Sequence, residues 1–450
     1  MITFSTIQKS QLEGASRLDA EYYQPEYLQY IETLHKFETQ SLDSLVTKID
    51  VGFVSSMTSH FQDKGIPLLR TQNVSEFVLN LEKGMVYIDE DFHKRLKKSQ
   101  VFPGYVLLAR SGSIGNAAVV PEHFPVANSA DIILIQTKQE ILPEFLTAFL
   151  NSKYGRFQIE RAESGGLQGH INLYSLQNLQ LPVLSLDLQQ TIKQTILEGF
   201  KLSEQSESLY KEAENLLLEE LGLKGFQITE NLSYIVNYSD TKKVKRIDAD
   251  YFQPKYDKLI SKIKNQNAKS LLEVIQDVPA RFVLKPDENY RYVELADINF
   301  SVGIIDGFSE VLGKEAPSRA KRLLKSGDVI VSSIQGSLEK VALVDKEQDG
   351  NLASTGFFQF RSDQILPEVL LVIAKSIILQ WQLERECSGT ILSAVPQESL
   401  KRLIVPVLPK SSQQKIADLV RRSHQARKKS KELLETAKRN VEEMIEKGSD

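Results

Sequence analysis

The chain has 450 residues, a formal net charge of −4, 41% hydrophobic and 25% charged side chains, and one cysteine, Cys387. This length supports two or three domains with cores of their own, and the composition is ordinary for a soluble globular protein. The single cysteine excludes an intrachain disulfide and fits a reducing cytoplasm, while the acidic balance excludes a uniformly basic nucleic-acid-binding surface.

Reading from the N-terminus, Lys9 has no apolar core behind it, so no signal peptide is expected. Gly104-Tyr-Val-Leu-Leu-Ala109 has the pattern of a buried strand that follows a glycine turn. Ser111-Gly-Ser-Ile-Gly115 then turns into a second strand over Ala117–Val120, and Ile141-Leu-Pro-Glu144 opens a helix through Leu150. From Leu188 to about Leu221 there is no proline. Leu188, Thr195, Leu202, Leu209 and Leu216 are spaced by seven, with Ile192, Gly199, Ser206 and Ala213 offset by four. A long helix is expected there, about 50 Å at 1.5 Å per residue. In the second half, Gly327–Ser332, Gln335–Leu338, Val341–Val344 and Ile365-Leu-Pro-Glu368 repeat the earlier order. Val369 to Trp381, broken by Lys375, is too short to span a bilayer and is expected as a buried helix. A second heptad stretch carries Ile416, Ser423, Ser430, Ala437 and Met444, offset by four to Val420, Arg427, Leu434 and Val441.

The halves echo each other closely. Residues 17–27, Arg-Leu-Asp-Ala-Glu-Tyr-Tyr-Gln-Pro-Glu-Tyr, return at 246–256 as Arg-Ile-Asp-Ala-Asp-Tyr-Phe-Gln-Pro-Lys-Tyr, a shift of 229. Later matches (Ile141–Glu144 with Ile365–Glu368, Leu181–Leu184 with Val405–Leu408) share a shift of 224. So long a period means two whole domains and not a solenoid. The expected fold is therefore α+β: two homologous α+β domains, at 1–187 and 223–410, each followed by a long helix, at 188–222 and 411–450. The first helix carries three Lys and seven Glu, the second ten Lys or Arg and seven acids. Their complementary charge points to an antiparallel coiled-coil spacer.

No catalytic constellation is found: no Walker loop, no dinucleotide fingerprint, no His-Glu-x-x-His and no Asn-Pro-Pro-Tyr. Six scattered histidines and one cysteine provide no metal-ligand spacing. The expectation is a binding protein with no catalytic residue, cofactor or metal. Basic runs precede the glycine-led strand in both halves: Lys94, Arg95, Lys97 and Lys98, then Arg319, Lys321, Arg322 and Lys325. Such side chains neutralise phosphates without reading sequence. Base readout needs donors and acceptors on loops. The candidates are Arg70, Thr71, Gln72, Asn73, Arg110, Ser111, Ser113, Gln168, His170 and Asn172 in the first half, and Ser332, Ser333, Gln335 and Thr390 in the second.

These motifs together resemble the specificity subunits of type I restriction–modification systems. The residues that carry the resemblance are 17–25 and 246–254, Leu68–Val74, Gly104–Ser113, and Leu179–Ile192 with its proline followed by Gln189-Gln190. The resemblance implies a cytoplasmic, non-catalytic subunit whose two target recognition domains each read half of a bipartite double-stranded DNA target. It also implies that the helix pair docks methyltransferase (modification) subunits, with restriction/translocase subunits joining the complex, and no membrane partner. In this chain Val293-Glu294-Leu-Ala-Asp297 stands where the first half has Arg-Thr-Gln-Asn, so the two half-sites are expected to differ. Two other readings stay open: a module derived from a single-chain restriction–methylase, which binding of S-adenosylmethionine would reveal, and a protein-docking scaffold that does not bind DNA.

Overall fold

The computed structural model describes residues 4–12, 18–81, 84–162, 170–227, 233–389 and 393–447. The chain forms two compact units, one of residues 1–201 and 429–450, the other of residues 202–428. Both divisions fall inside long helices, Leu186–Glu220 and Lys410–Lys447, so each helix contributes one part to each unit.

In the first unit a four-stranded sheet runs Val46–Val51, Ile132–Thr137, Val106–Ala109, Ala117–Val119. A five-stranded sheet runs Phe61–Gln62, Val86–Ile88, Ile66–Leu69, Ala127–Ser129, Gln100–Val101. The inner strands read as continuous apolar runs because both of their faces are covered, and Val106–Ala109 and Ile132–Ile135 are all buried. Helix Pro143–Asn151 starts on its proline, where the missing N–H costs nothing, and buries Phe145, Leu146, Phe149 and Leu150 in the main core. The same core takes Ile192 and Ile196 from one long helix and Ala437, Val441 and Ile445 from the other.

In the second unit a six-stranded sheet runs Gln276–Asp277, Phe357–Arg361, Val329–Ser332, Val341–Leu343, Ile304–Ile305, Ile298–Asn299. A four-stranded sheet runs Ser309–Leu312, Asn289–Val293, Leu352–Ser354, Ala320–Leu323. Its main core gathers Tyr210, Ala213, Leu217, Ile416, Ala417 and Val420 from the long helices around Val369–Ala374. The apolar stretch 369–381 is not one helix. Pro367–Lys375 ends at Ser376, whose hydroxyl accepts from the Ile378 N–H at 3.3 Å to start Ile377–Glu386. Serine competes with the helix backbone, and here it caps a new helix instead of continuing the old one.

The seam of the helices differs from the heptad reading in one column. Ile192, Gly199, Ser206 and Ala213 are buried, and Leu209 of the other column is buried with them, but Leu188 is exposed and the seam also takes Ile196, Tyr210 and Leu217. Small residues set the geometry. Within the second unit the helices run antiparallel, with Ser206 Oγ donating to the Ser423 carbonyl at 2.7 Å and Ser423 Oγ returning to the Ser206 carbonyl at 2.7 Å. Within the first unit Ser430 Oγ donates to the Gly199 carbonyl at 2.7 Å. A Cβ at Gly199 would lie 3.1 Å from Leu434 Cδ2, so glycine admits the leucine. The helix charges form ion pairs with the body of their own unit: Lys193 with Glu144 at 3.0 Å, Lys438 with Glu76 at 3.1 Å, Arg421 with Glu368 at 2.7 Å. Among the described residues no helix is long and apolar enough to cross a membrane.

Candidate functional site

Three turns at strand ends meet in the first unit. Strand Ile66–Leu69 runs parallel to Ala127–Ser129 (Leu68 opposite Asn128, Leu69 opposite Ser129), so the turns after them emerge at one edge. Strand Ile132–Thr137 pairs antiparallel with Val106–Ala109, which brings the turn at 110–113 to the same edge. The result is a cleft of about 400 Å³ lined by Arg70, Thr71, Gln72, Ser111, Gly112, Ser113, Ala130 and Asp131.

The first turn is a short 3₁₀ segment, Thr71–Asn73, locked from beneath. Buried Asn73 accepts from the Arg70 N–H at 2.9 Å, and its amide donates to the Asn80 carbonyl at 3.0 Å. That leaves Arg70, Thr71 and Gln72 facing the cleft. The Arg70 guanidinium and the Gln72 amide (3.2 Å) both donate to the Gly84 carbonyl. Gly84 has φ +55°, and a Cβ there would lie 2.5 Å from Gln72 Nε2. Arg70 Nε is buried with no hydrogen-bond partner among the described residues.

Asp131 ties the turns together. It holds a left-handed backbone, φ +56°. Its Oδ2 accepts from Ser111 Oγ at 2.8 Å, and its Oδ1 lies 3.2 Å from Arg110 Nε. That approach is an ion pair by distance but is poorly aligned for a hydrogen bond, since the same Nε has no hydrogen-bond partner. Thr71 Oγ1 lies 3.2 Å from Ser111 Oγ and 3.3 Å from the Asp131 carbonyl. The cleft floor is thus a charged hydrogen-bond network, with Arg70, Gln72 and Ser113 at its rim. Segment 170–172 joins the edge: Ile171 N–H donates to the Arg110 carbonyl at 3.3 Å, and Asn172 caps helix Leu173–Gln177 by accepting from the Ser175 N–H at 2.8 Å. His170 Nδ1 is buried without a hydrogen-bond partner among the described residues. Gln168 and Thr390 lie outside the described residues.

The basic run of this unit lies apart from the cleft. Lys94 and Arg95 end helix Glu90–Arg95, and Lys97 and Lys98 begin the next 3₁₀ turn; all four are exposed. Lys94 meets Glu90 at 3.5 Å, and Arg95 covers the Phe92 ring at 5.2 Å. Asp89 caps this helix, and the Phe92 N–H holds its carboxyl below the usual range, with His60 adding to the effect.

In the second unit Arg319, Lys321 and Lys325 are exposed, but Arg322 is only 5% exposed. Strand Ala320–Leu323 alternates, so Lys321 and Arg322 face opposite sides. Arg322 donates to the Val278 carbonyl, and burial lowers its pKa while raising that of Asp277. Ser332 is fully buried, and its Oγ accepts from the Ile334 N–H at 3.1 Å. Ser333 Oγ donates to the Gly356 carbonyl at 2.9 Å, while Gln335 is exposed on the turn and its N–H donates to the Ser393 carbonyl at 3.0 Å. Asp131 and Gly84 escape sequence reasoning. The only signal for Asp131 is its place between two buried strands, where Asp is one of the few residues that tolerates the left-handed region.

Residues 36–214, which hold the whole cleft, match the family described as type I restriction modification DNA specificity domain. The chain is 24% identical over 155 residues to the type I restriction enzyme HindI specificity subunit of Haemophilus influenzae. That match covers 34% of this chain and about a third, 33%, of the length of its curated relative. Among solved structures, the type I restriction–modification S subunit from M. genitalium is 15% identical, with a TM-score of 0.42, over 91% of this chain and 95% of its own. The HsdS subunit from Thermoanaerobacter tengcongensis is 12% identical, with a TM-score of 0.28, over 91% and 96%. The cleft and the strands that build it all lie within the matched residues.

Proposed function

We propose that the chain is the non-catalytic, sequence-specific DNA-binding subunit of a cytoplasmic type I restriction–modification complex. Each repeat reads one half of a bipartite double-stranded target. The helix pair sets the spacing of the halves and docks the modification subunits, with restriction/translocase subunits completing the assembly. The observation that carries this reading is the cleft: Arg70, Thr71, Gln72, Ser111 and Ser113, five side chains suited to base edges, converge from two turns inside a DNA specificity domain. Exposed Lys94, Arg95, Lys97 and Lys98 provide the sequence-independent phosphate term.

The pairing of strands supports two repeats at 1–187 and 223–410. Adding 224 to the parallel pairs Leu68–Asn128 and Leu69–Ser129 gives Tyr292–Leu352 and Val293–Ala353, which are also parallel pairs. Adding it to the antiparallel pair Leu107–Leu134 gives Val331–Phe358, also antiparallel.

The test is selection from a randomised duplex pool by the full chain, followed by titration of the selected duplex against salt. A bipartite sequence should emerge, and its affinity should fall steeply as salt rises. Enrichment of no sequence at any salt concentration would overturn the reading.

A further inference from the structure

The two units close the same turn around opposite charges. In the first, the turn after strand Ile66–Leu69 is held by the Arg70 N–H donating to Asn73 Oδ1 at 2.9 Å and the Asn73 N–H donating to the Arg70 carbonyl at 2.7 Å. In the second, strand Asn289–Val293 is followed by the same device. The Glu294 N–H donates to Asp297 Oδ2 at 2.7 Å and the Asp297 N–H to the Glu294 carbonyl at 3.1 Å. By strand register Glu294 stands where Arg70 stands, and Leu295 and Ala296 replace Thr71 and Gln72. In both turns the side chain three residues on, Asn73 or Asp297, accepts from the N–H of the first residue.

Glu294 is exposed, and among the described residues it forms no ion pair. Its surroundings are nonetheless specific. Tyr292, two residues earlier in the chain, is buried, and burial raises its phenol pKa; the Glu294 carboxylate raises it further, while Ser354 and Arg319 oppose. Arg319 is fixed by its carbonyl, which accepts from the Thr355 N–H at 2.9 Å on the turn after strand Leu352–Ser354. A carboxylate and an exposed guanidinium thus share the edge at which the first unit has its cleft.

We infer that Glu294 is the specificity-determining residue of the second unit and that it takes the exocyclic amino group of a cytosine; this rests on the DNA-reading function proposed above. An ionised carboxylate only accepts hydrogen bonds. In the major groove guanine offers acceptors, adenine an acceptor beside its donor, and cytosine a donor alone. Arg70, with donors only, has the opposite preference, so the two half-sites differ in the hydrogen-bonding sense of the base they select. Arg319 offsets the repulsion between Glu294 and the phosphates by contacting the backbone beside it.

The experiment compares full-length wild type, Glu294→Gln and Arg70→Ala in selection from a randomised duplex pool. Wild type should enrich a bipartite site with a cytosine fixed in one half. Glu294→Gln should lose preference for that cytosine by about tenfold or more and leave the other half-site unchanged, which also shows that the variant is folded. Arg70→Ala should relax only the other half. A wild-type site that Glu294→Gln leaves unaltered at every position overturns this inference alone. Absence of any site for the wild type overturns the DNA-reading function with it.

Discussion

At the scale of single residues, Asp131 and Gly84 shape the cleft through their backbones as much as through their atoms. Asp131 occupies the left-handed region, which costs a residue with a Cβ about 1–2 kcal/mol. It recovers that cost by binding Ser111 and facing Arg110. Asp131→Ala keeps the strain and loses the partners, so thermal or denaturant unfolding should show a loss of about 1–3 kcal/mol. Asp131→Gly relieves the strain and should cost less. Gly84→Ala places a methyl group against the Gln72 amide and strains a φ of +55°, and should weaken cognate binding more than random-duplex binding. Equal losses on both duplexes would separate Gly84 from base reading. Lys97→Ala with Lys98→Ala should act in the opposite manner, weakening all DNA equally and reducing the salt slope by roughly one to two units. The polar cleft residues are legible in the sequence because donors at the ends of apolar runs stand out. Asp131 is not, because its contribution is a dihedral angle. Nor is the burial of Arg322, which a run of basic letters conceals and strand alternation decides.

At the scale of elements, the long helices meet through serine and glycine, and this makes their energetics unusual for a helix pair. Ser206 and Ser423 exchange hydrogen bonds with each other's carbonyls inside the second unit, with their hydroxyls 3.1 Å apart. Ser206→Ala and Ser423→Ala should each cost about 1 kcal/mol in urea unfolding. The double substitution should cost less than the sum, because the pair acts as one network. Ser206→Leu should cost more, about 1–3 kcal/mol, by overpacking. His424, on the same helix, gives a pH signature. Burial lowers its pKa, opposed by its hydrogen bond to the Val302 carbonyl at 2.8 Å and by Asp345 and Glu368, with Lys375 acting alongside burial. A lowered histidine pKa means that the unfolded chain binds the proton more readily. Stability is therefore full above the unfolded value of about 6.5 and lost as pH falls below it, by at most about 1.4 kcal/mol per pH unit. Melting between pH 7.5 and 5.5 should show this slope, and His424→Gln should flatten it. Helix length is readable from the heptads. The flanking column is not, because Leu188 and Ile196 look equally apolar in sequence and only packing distinguishes the exposed one from the buried one.

At the scale of the whole molecule, an ordered series of matched motifs is legible in the sequence, and the 224-residue offset recurs in strand register. The extent of the compact units is less legible. Each long helix is one stretch of sequence, yet the units divide it, because contacts are made along the helix by different residues. If the helix pair measures the target, adding length at those divisions must change the DNA site by a computable amount. Seven residues inserted after Lys201 and seven after Lys428 add about 10.5 Å of helix at 1.5 Å per residue. Seven is the appropriate length because Gly199 and Ser206, and Ser423 and Ser430, are seven apart, so an insertion of that length keeps the small residues on the seam. Four residues would turn the seam by about 40° beyond a full turn. At about 3.4 Å per base pair the longer protein should prefer a spacer longer by about three base pairs. Both half-sites should stay the same, since neither the first unit's cleft nor the Glu294 turn of the second unit is touched. Selection from a randomised pool reads spacer and half-sites together. A spacer that does not lengthen, while both half-sites persist, would show that the helices do not measure the DNA.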